Sequence, residues 1–114
     1  MLKKIISFGF RHEGGGPNVI EGVTVIDVRQ KFKNPYHDKT LRYMRGTDLE
    51  VQKDIMKTPD FLQKYCDLKE RLEKSGSEVV YIGCTGGHHR SVFLAERLGR
   101  ELGVSVEHRD IEKK

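Results

Sequence analysis

Tryptophan is absent from the sequence, and cysteine and proline are scarce, with two and three residues in 114. The two cysteines, Cys66 and Cys84, are too few for the disulfide framework of small secreted domains, which indicates a reducing compartment. No apolar run approaches the ~18 residues that a membrane-spanning helix needs. The apolar start at residues 1–8 is too short for a secretory signal, because charged residues soon follow it. We therefore expect a cytoplasmic protein with no membrane partner.

Neither sign of charge dominates the sequence. It contains 21 lysines and arginines and 17 acidic residues, which gives a formal charge of +4. This mild excess is compatible with anionic partners such as phosphates or RNA and does not require them. With 36% hydrophobic and 33% charged residues, the chain can build a core, and gross disorder is not indicated. Its length fits one compact domain over residues 1–114.

Four segments have the apolar, β-branched composition of strands, namely residues 3–8, 23–28, 79–83 and 104–106. An amphipathic helix is predicted over residues 90–102, with Gly103 as its stop. Strand, loop, helix and strand follow one another from residue 79 to 106, which is the order of a right-handed parallel crossover. We predict an α/β fold, a small single-domain sandwich with a mostly parallel four-stranded sheet flanked by helices.

Two further helices are predicted in the middle of the chain. Thr47 and Glu50 have the spacing of a capping box, so a short helix should follow and end before Pro59. Thr58 is placed to cap the next helix, with Pro59 in its first turn. An apolar stripe at helical spacing should bury this second helix, and Cys66 beside it is expected to be a packed core thiol. The stripe consists of Phe61, Leu62, Tyr65, Leu68 and Leu72.

The most informative segment connects the third strand to the helix that begins near Arg90. Gly86 and Gly87 let the backbone curve closely around a ligand, and amides at a helix N-terminus lack intrahelical partners. The guanidinium of Arg90 can bind two oxygens of one anion. These features predict a phosphate-binding or oxyanion-binding loop, against the alternative of a simple tight turn. Its residues are Cys84, Thr85, Gly86, Gly87, His88, His89, Arg90 and Ser91.

The same loop has the Cys-x5-Arg spacing of cysteine-dependent phosphatases, which leaves a catalytic alternative open. A helix N-terminus and Arg90 would favour the thiolate of Cys84, and Ser91 could hold it. That chemistry also needs a general acid, for which Asp27, Asp38 and Asp48 are the candidates.

Residues outside the loop are expected to face the same ligand. Asp27 and Arg29 end the second strand and share a face, although an ion pair with a neighbouring segment would explain them equally well. The long polar segment 29–46 has no periodicity, which is typical of a functional loop. Tyr36 and His37 lie within it, and together with His12, Arg42 and Arg45 they are placed to close over the site. No pair of ligands has the spacing of a metal site, and no cofactor is predicted.

These residues resemble the C-terminal domain of the RapZ RNase adapter family. The run from Ile82 to Val92 is similar to the family signature Gly-Cys-Thr-Gly-Gly-Lys/His-His-Arg-Ser-Val. Shorter similarities follow in the same order along the chain. They are Ser7-Phe8-Gly9-Phe10, Asp27-Val28-Arg29, Asn34-Pro35-Tyr36, Leu41-Arg42, Gly46 and the closing His108-Arg109-Asp110.

The resemblance implies a domain that senses glucosamine-6-phosphate, binds small RNA and presents it to an endoribonuclease. Self-association into a homo-oligomer is compatible with it. The implied sugar contacts fall on Asp27, Arg29 and the loop, and the implied RNA contacts fall on Arg109, Lys113 and Lys114. The N-terminal P-loop domain of full-length members has no counterpart here, so nucleoside triphosphate hydrolysis is not expected. We therefore predict a regulatory phosphate-binding domain, with a Cys84-dependent phosphatase as the alternative.

Overall fold

Four strands form one sheet at the centre of the molecule. In the computed structural model, which describes residues 1–12, 14–18 and 20–113, they are β1 (Lys4–Gly9), β2 (Val23–Asp27), β3 (Val79–Cys84) and β4 (Ser105–His108). Their order is β2-β3-β1-β4, and each neighbouring pair is parallel. The predicted α/β class and the four-stranded sheet are confirmed, and the sheet is parallel throughout.

The two central strands, β1 and β3, are covered on both faces, as a parallel sheet requires. Ile5 and Phe8 of β1 and Val80 and Ile82 of β3 are fully buried. These residues are apolar and mostly β-branched or aromatic, the composition that favours a central strand. As a result, the carboxyl ends of β1, β2 and β3 meet along one edge of a rigid core.

Three helices flank the sheet: α1 (Leu49–Ile55), α2 (Phe61–Lys74) and α3 (Arg90–Leu102). Helix α3 packs against β1, β3 and β4, and its bounds agree with the prediction. It ends where Gly103 takes a left-handed conformation, with φ of 69°. In the part of the chain that the structure describes, no helix is long and apolar enough to cross a membrane.

The predicted caps of α1 and α2 are wrong. Helix α1 takes Asp48 as its N-cap, and the Asp48 carboxylate accepts a hydrogen bond from the Arg45 amide at 2.7 Å, outside the helix. Helix α2 begins only after Asp60, and the Thr58 hydroxyl donates back to the Ile55 carbonyl at 2.6 Å instead of capping it. The sequence shows which side chains could cap a helix, but it does not show whether they bind the helix amides or another nearby backbone group.

The prediction that Cys66 is a core thiol is also wrong, since this cysteine is exposed. The buried face of α2 is narrower than expected and consists of Phe61, Tyr65, Leu68 and Leu72. Leu62 is 69% exposed. Successive helical residues are about 100° apart, so the neighbours of Phe61 and Tyr65 turn toward solvent.

The ends of β1 and β4 are tied to α3 by a chain of hydrogen bonds. His108 Nδ1 lies 2.6 Å from the Ser7 hydroxyl, and His108 Nε2 lies 2.6 Å from a Glu96 carboxylate oxygen. Ser7 is fully buried in the sheet, so this Ser-His-Glu arrangement has no access to a substrate and serves to fix the strand ends. The segment that follows His108 therefore leaves the sheet in a defined direction.

Candidate anion-binding site

The connection between β3 and α3 lies at the carboxyl edge of the sheet. Among the described residues, the amides of residues 86–89 donate no hydrogen bond to another backbone group. Gly87 adopts a left-handed conformation with φ of 75°, which curves the chain before the helix begins. Unpaired amides and the positive end of the α3 dipole converge at this point, as in known phosphate-binding loops. We call residues 85–89 together with Arg90 the anion nest.

The end of β1 supports the anion nest from behind by backbone contact. A Cβ atom on Gly9 would lie 2.4 Å from the carbonyl carbon of Gly86, and one on Gly87 would lie 2.6 Å from the Gly9 amide nitrogen. The amide of Arg11 also donates to the Thr85 carbonyl at 3.1 Å. Only glycine at positions 9 and 87 permits this approach, which holds the loop in its curved form.

The Arg90 side chain is buried in the wall of the site. It is 4% exposed, and its Nη1 donates to the Arg29 carbonyl at 2.6 Å. Its Nη2 lies 3.5 Å from the Thr85 hydroxyl, and its buried Nε has no partner among the described residues. Burial lowers the pKa of Arg90, and the neighbouring Cys84 thiol and Asp27 oppose this shift. A buried cation with unused donor capacity is suited to an anionic ligand.

The Cys84 thiol lies beside the anion nest. Its sulfur is 3.1 Å from the Ser91 hydroxyl, and both residues are buried. The contact agrees with the predicted proximity of Ser91 to Cys84. Such a contact does not require a catalytic role, because two neighbouring polar side chains at the end of a strand and the start of a helix form a hydrogen bond for structural reasons alone.

A cavity of about 610 Å³ opens over the anion nest. Its wall carries five cationic side chains, four arginines and one lysine, and no carboxylate among the described residues. The volume falls within the range of small-molecule sites, which is roughly 300–1,000 Å³. The lining residues are Arg11, Asn34, Tyr36, Arg42, Tyr43, Arg45, Cys84, Thr85, Gly86, His88, His89, Arg90 and Lys113.

The two adjacent histidines are neutral components of this wall. Burial lowers the pKa of both His88 and His89, and nearby arginines lower that of His88 further. His88 Nε2 donates to the Lys113 carbonyl. His89 is 6% exposed, and its Nε2 has no partner in the described part of the chain. The buried Nε2 of His89 is therefore a second polar atom, besides Arg90 Nε, that the described residues leave without a partner.

Asp27 and Arg29 satisfy each other at the edge of the site. The Arg29 Nη2 donates to the Asp27 carboxylate at 2.7 Å, and this bond lowers the pKa of Asp27. Neither side chain lines the cavity, although the Arg29 carbonyl is the group that holds Arg90. The two side chains thus pair with each other and not with a neighbouring segment, which was the alternative expected from the sequence.

The segment predicted to close over the site does contribute to the cavity wall. A 3-10 helix over Pro35–His37 presents Tyr36 to the cavity, and the Arg42 guanidinium lies 4.6 Å from the centre of the Tyr36 ring. His37 is exposed and lies outside the lining. Gly46 brings the end of the segment onto α3, since a Cβ there would lie 2.3 Å from the His89 carbonyl oxygen.

Of the C-terminal residues predicted for RNA, Lys113 forms part of the cavity wall and Arg109 is bound by a buried carboxylate. Asp110 is fully buried and accepts from the Gly9 amide at 2.8 Å and from Arg109 Nη2 at 2.8 Å. Lys113 Nζ pairs with the same carboxylate at 2.8 Å. Burial alone would raise the pKa of Asp110, but these hydrogen bonds together hold it well below its usual range. Lys113 also lines the cavity, and Lys114 lies outside the described residues.

Sequence reasoning missed Arg11, Asn34 and Tyr43 as lining residues. Arg11 could have been found, because it follows β1 just as Asp27 ends β2, and parallel strands end at one edge. Tyr43 carries no such signal, since its place depends on how the long segment folds. Within residues 1–12, 14–18 and 20–113, no three His, Cys, Asp or Glu side chains come together as a metal site would require.

The fold and the site define a class of protein, a small parallel α/β domain with a glycine-rich, cation-lined loop at its strand ends. Residues 1–112 match the family described as the RapZ C-terminal domain, and the chain belongs to this family. The resemblance drawn from the sequence is confirmed.

Three similar relatives are each named "Nucleotide-binding protein". They are from Caldicellulosiruptor bescii (43% identical over 99% of this chain), Acetivibrio thermocellus (41% over 99%) and Deinococcus radiodurans (40% over 95%). This chain spans 42% of the length of each of them.

Proposed function

We propose that this domain is a sensor that binds a phosphorylated small molecule, with the phosphate seated in the anion nest. The observation that carries the proposal is the coincidence of three features at one point. Free loop amides, the N-terminus of α3 and the buried cation Arg90 all border one cavity. A phosphate monoester carries about −1.5 to −2 charges at neutral pH and three acceptor oxygens, which these groups can satisfy together.

The ligand we propose is an amino-sugar phosphate of the glucosamine-6-phosphate type, as the family resemblance implies. A hexose fits the volume of about 610 Å³ beyond the anion nest. Of the sugar contacts that the resemblance implies, Asp27 and Arg29 bind each other outside the cavity lining, so we place the sugar against Thr85, Gly86 and His89. The names of the relatives make a nucleotide the next phosphate ester to test.

Binding is favoured over phosphatase chemistry by the composition of the cavity wall. Among the described lining residues there is no aspartate or glutamate that could protonate a leaving group. Asp38 caps the Thr40 amide at 2.8 Å, and Asp48 accepts from the Arg45 amide at 2.7 Å, so both are engaged elsewhere. The Cys84→Ser variant should therefore retain ligand affinity, and no phosphate should be released from an aryl phosphate by either form.

Titration calorimetry with glucosamine-6-phosphate and with glucosamine tests the proposal. The phosphate ester should bind saturably and without product, whereas glucosamine should not bind. Replacing Arg90 by lysine keeps the charge and removes the planar fork, so affinity should fall by about 2–3 kcal/mol. If Arg90→Lys binds the phosphate ester as tightly as the wild type, the phosphate is not held by the anion nest.

Two controls accompany this experiment. Arg100→Gln removes an exposed cation at the far end of α3 and should leave the affinity within about twofold, because it lies outside the cavity. Thermal unfolding of each variant separates lost binding from lost folding, since Arg90 also holds the Arg29 carbonyl.

A second proposed role is that of an RNA-binding adapter module for an endoribonuclease, following the same resemblance. The excess of cations on the cavity wall and the exposed rings of Tyr36 and Tyr43 favour it, since exposed aromatics stack on unpaired bases. Arg109 is only 18% exposed at its side chain and binds Asp110. The RNA surface we propose therefore centres on the cavity rim.

A further inference from the structure

The cavity holds more positive charge than one phosphate can neutralise. It is lined by Arg11, Arg42, Arg45, Arg90 and Lys113, and within the described part of the chain only Lys113 is paired with a carboxylate, that of Asp110. The four arginines remain without an acidic partner among the described residues. A phosphate monoester supplies about two negative charges. Roughly two cationic side chains would then face the ligand without a counter-charge.

These cations lie on two sides of the loop. Arg90 is held by the Arg29 and Phe32 carbonyls, both in the segment that follows β2. Arg11 follows β1, and β3 stands between β2 and β1 in the sheet. Because neighbouring strands are about 4.8 Å apart, the two backbone positions are separated by roughly 10 Å. The loop after β3 therefore has one cationic side chain on each flank.

The Arg11 flank has the properties of an unfilled site. The Arg11 guanidinium makes no hydrogen bond or ion pair with a described residue, and its Nη2 lies 3.6 Å from where a Cβ on Gly86 would stand. Arg45 joins it from the opposite segment, with its Nε on the Ile111 carbonyl and its Nη1 on the Tyr43 carbonyl, each at 2.8 Å. Both charges lower the pKa of His88, which belongs to the loop.

We infer that the cavity contains a second anion subsite, formed by Arg11 and Arg45 on the β1 side of the anion nest. The inference rests on the proposed function, because it assigns the first phosphate to the nest. The ligand class it predicts is a phosphorylated molecule with two phosphoryl groups separated by the width of a sugar ring. A sugar bisphosphate presents this chemistry as a free metabolite, and two successive phosphates of an RNA strand present it within a polymer.

The experiment compares matched pairs of ligands by calorimetry on the full chain. Glucose-1,6-bisphosphate is set against glucose-6-phosphate, and the diribonucleotide pApA is set against AMP. In the wild type the doubly phosphorylated member of at least one pair should bind about tenfold more tightly, as a charge-assisted contact to a guanidinium predicts. In Arg11→Gln this advantage, the ratio of the two affinities within a pair, should shrink to less than about threefold, because the variant removes the contact that only the second phosphate makes.

The outcomes separate the two sources and the two proposals. A gain confined to the bisphosphate assigns the subsite to a metabolite, and a gain confined to pApA assigns it to RNA. Equal affinities within both pairs, or an advantage that persists in Arg11→Gln, would overturn the second subsite while leaving the first intact. If no phosphate ester binds at all, the proposed function itself fails. Arg11 is exposed, so its substitution is not expected to unfold the chain, and Arg100→Gln serves as the charge-matched control.

Discussion

At the scale of single residues, the two adjacent glycines of the loop have different tasks. A Cβ on Gly87 would meet the Gly9 amide at 2.6 Å, and φ at Gly87 is 75°. A Cβ on Gly86 would stand in the cavity, 3.6 Å from Arg11 Nη2 and 3.7 Å from His88 Nδ1, which are ordinary contacts. Gly87 therefore shapes the backbone, and Gly86 keeps space for a ligand.

This difference predicts opposite behaviour for two alanine variants. Gly87→Ala should lower the free energy of unfolding by at least ~2 kcal/mol, because the substitution adds both strain and a backbone clash. Gly86→Ala should change stability by less than about 0.5 kcal/mol but weaken phosphate ester binding about tenfold. Chemical denaturation and calorimetry on the same samples measure the two effects. A Gly86→Ala protein that binds like the wild type would show that the loop does not hold the ligand.

At the scale of elements, the C-terminal segment is attached to β1 by one buried carboxylate. Asp110 has no exposed surface and receives hydrogen bonds from Gly9 and Arg109, and an ion pair from Lys113. The bond from Gly9 joins residues that are 101 positions apart in sequence, whereas Arg109 and Lys113 are sequence neighbours of Asp110. The wall that carries Lys113 therefore depends on a long-range contact.

We expect Asp110→Asn to destabilise the protein by about 2–4 kcal/mol, because Arg109 is left partly buried without its counter-charge. The pKa of Asp110 is lowered in the folded state, so the carboxylate stabilises the fold above its unfolded value near 3.8. The difference between the variant and the wild type should thus be largest near neutral pH and shrink as the pH falls below that value. Denaturant titrations across this range measure it.

The matched control is Glu112→Gln, an exposed acidic residue in the same segment. It should leave the free energy of unfolding within about 0.5 kcal/mol of the wild type at every pH. Equal stability of Asp110→Asn and the wild type at neutral pH would mean that the segment is held by other contacts.

At the scale of the whole molecule, the sequence predicts the sheet and the central loop well, because both depend on local patterns. The four strands are short apolar runs such as Val79–Cys84, and α3 has one continuous apolar face ending at a glycine. The cap of α1 at Asp48, the inward turn of Arg109 and the place of Arg11 could not be read in the same way. Each is decided by partners that only the folded chain brings together.

The same distinction applies to the RNA proposal, since the predicted basic residues and the observed basic surface differ. The family resemblance pointed to the C-terminal tail, where Arg109 is engaged by Asp110. The structure gathers arginines around the cavity instead, with Tyr43 80% exposed at its rim. A single-stranded RNA that binds there should contact about three or four cations.

Counterion release gives this proposal a quantitative form. When Z phosphates of a single strand are neutralised, a plot of the logarithm of the binding constant against the logarithm of the salt concentration has a slope of about −0.7Z. Three or four contacted cations therefore predict a slope of roughly −2 to −3.

Arg42→Gln should reduce the magnitude of the slope by about 0.7, and Arg100→Gln should leave it unchanged. Tyr43→Ala should weaken binding by about 1–3 kcal/mol without altering the slope, because stacking is not ionic. Fluorescence anisotropy of a labelled oligoribonucleotide at several salt concentrations measures all three, and an affinity independent of salt would exclude the cavity rim as an RNA surface.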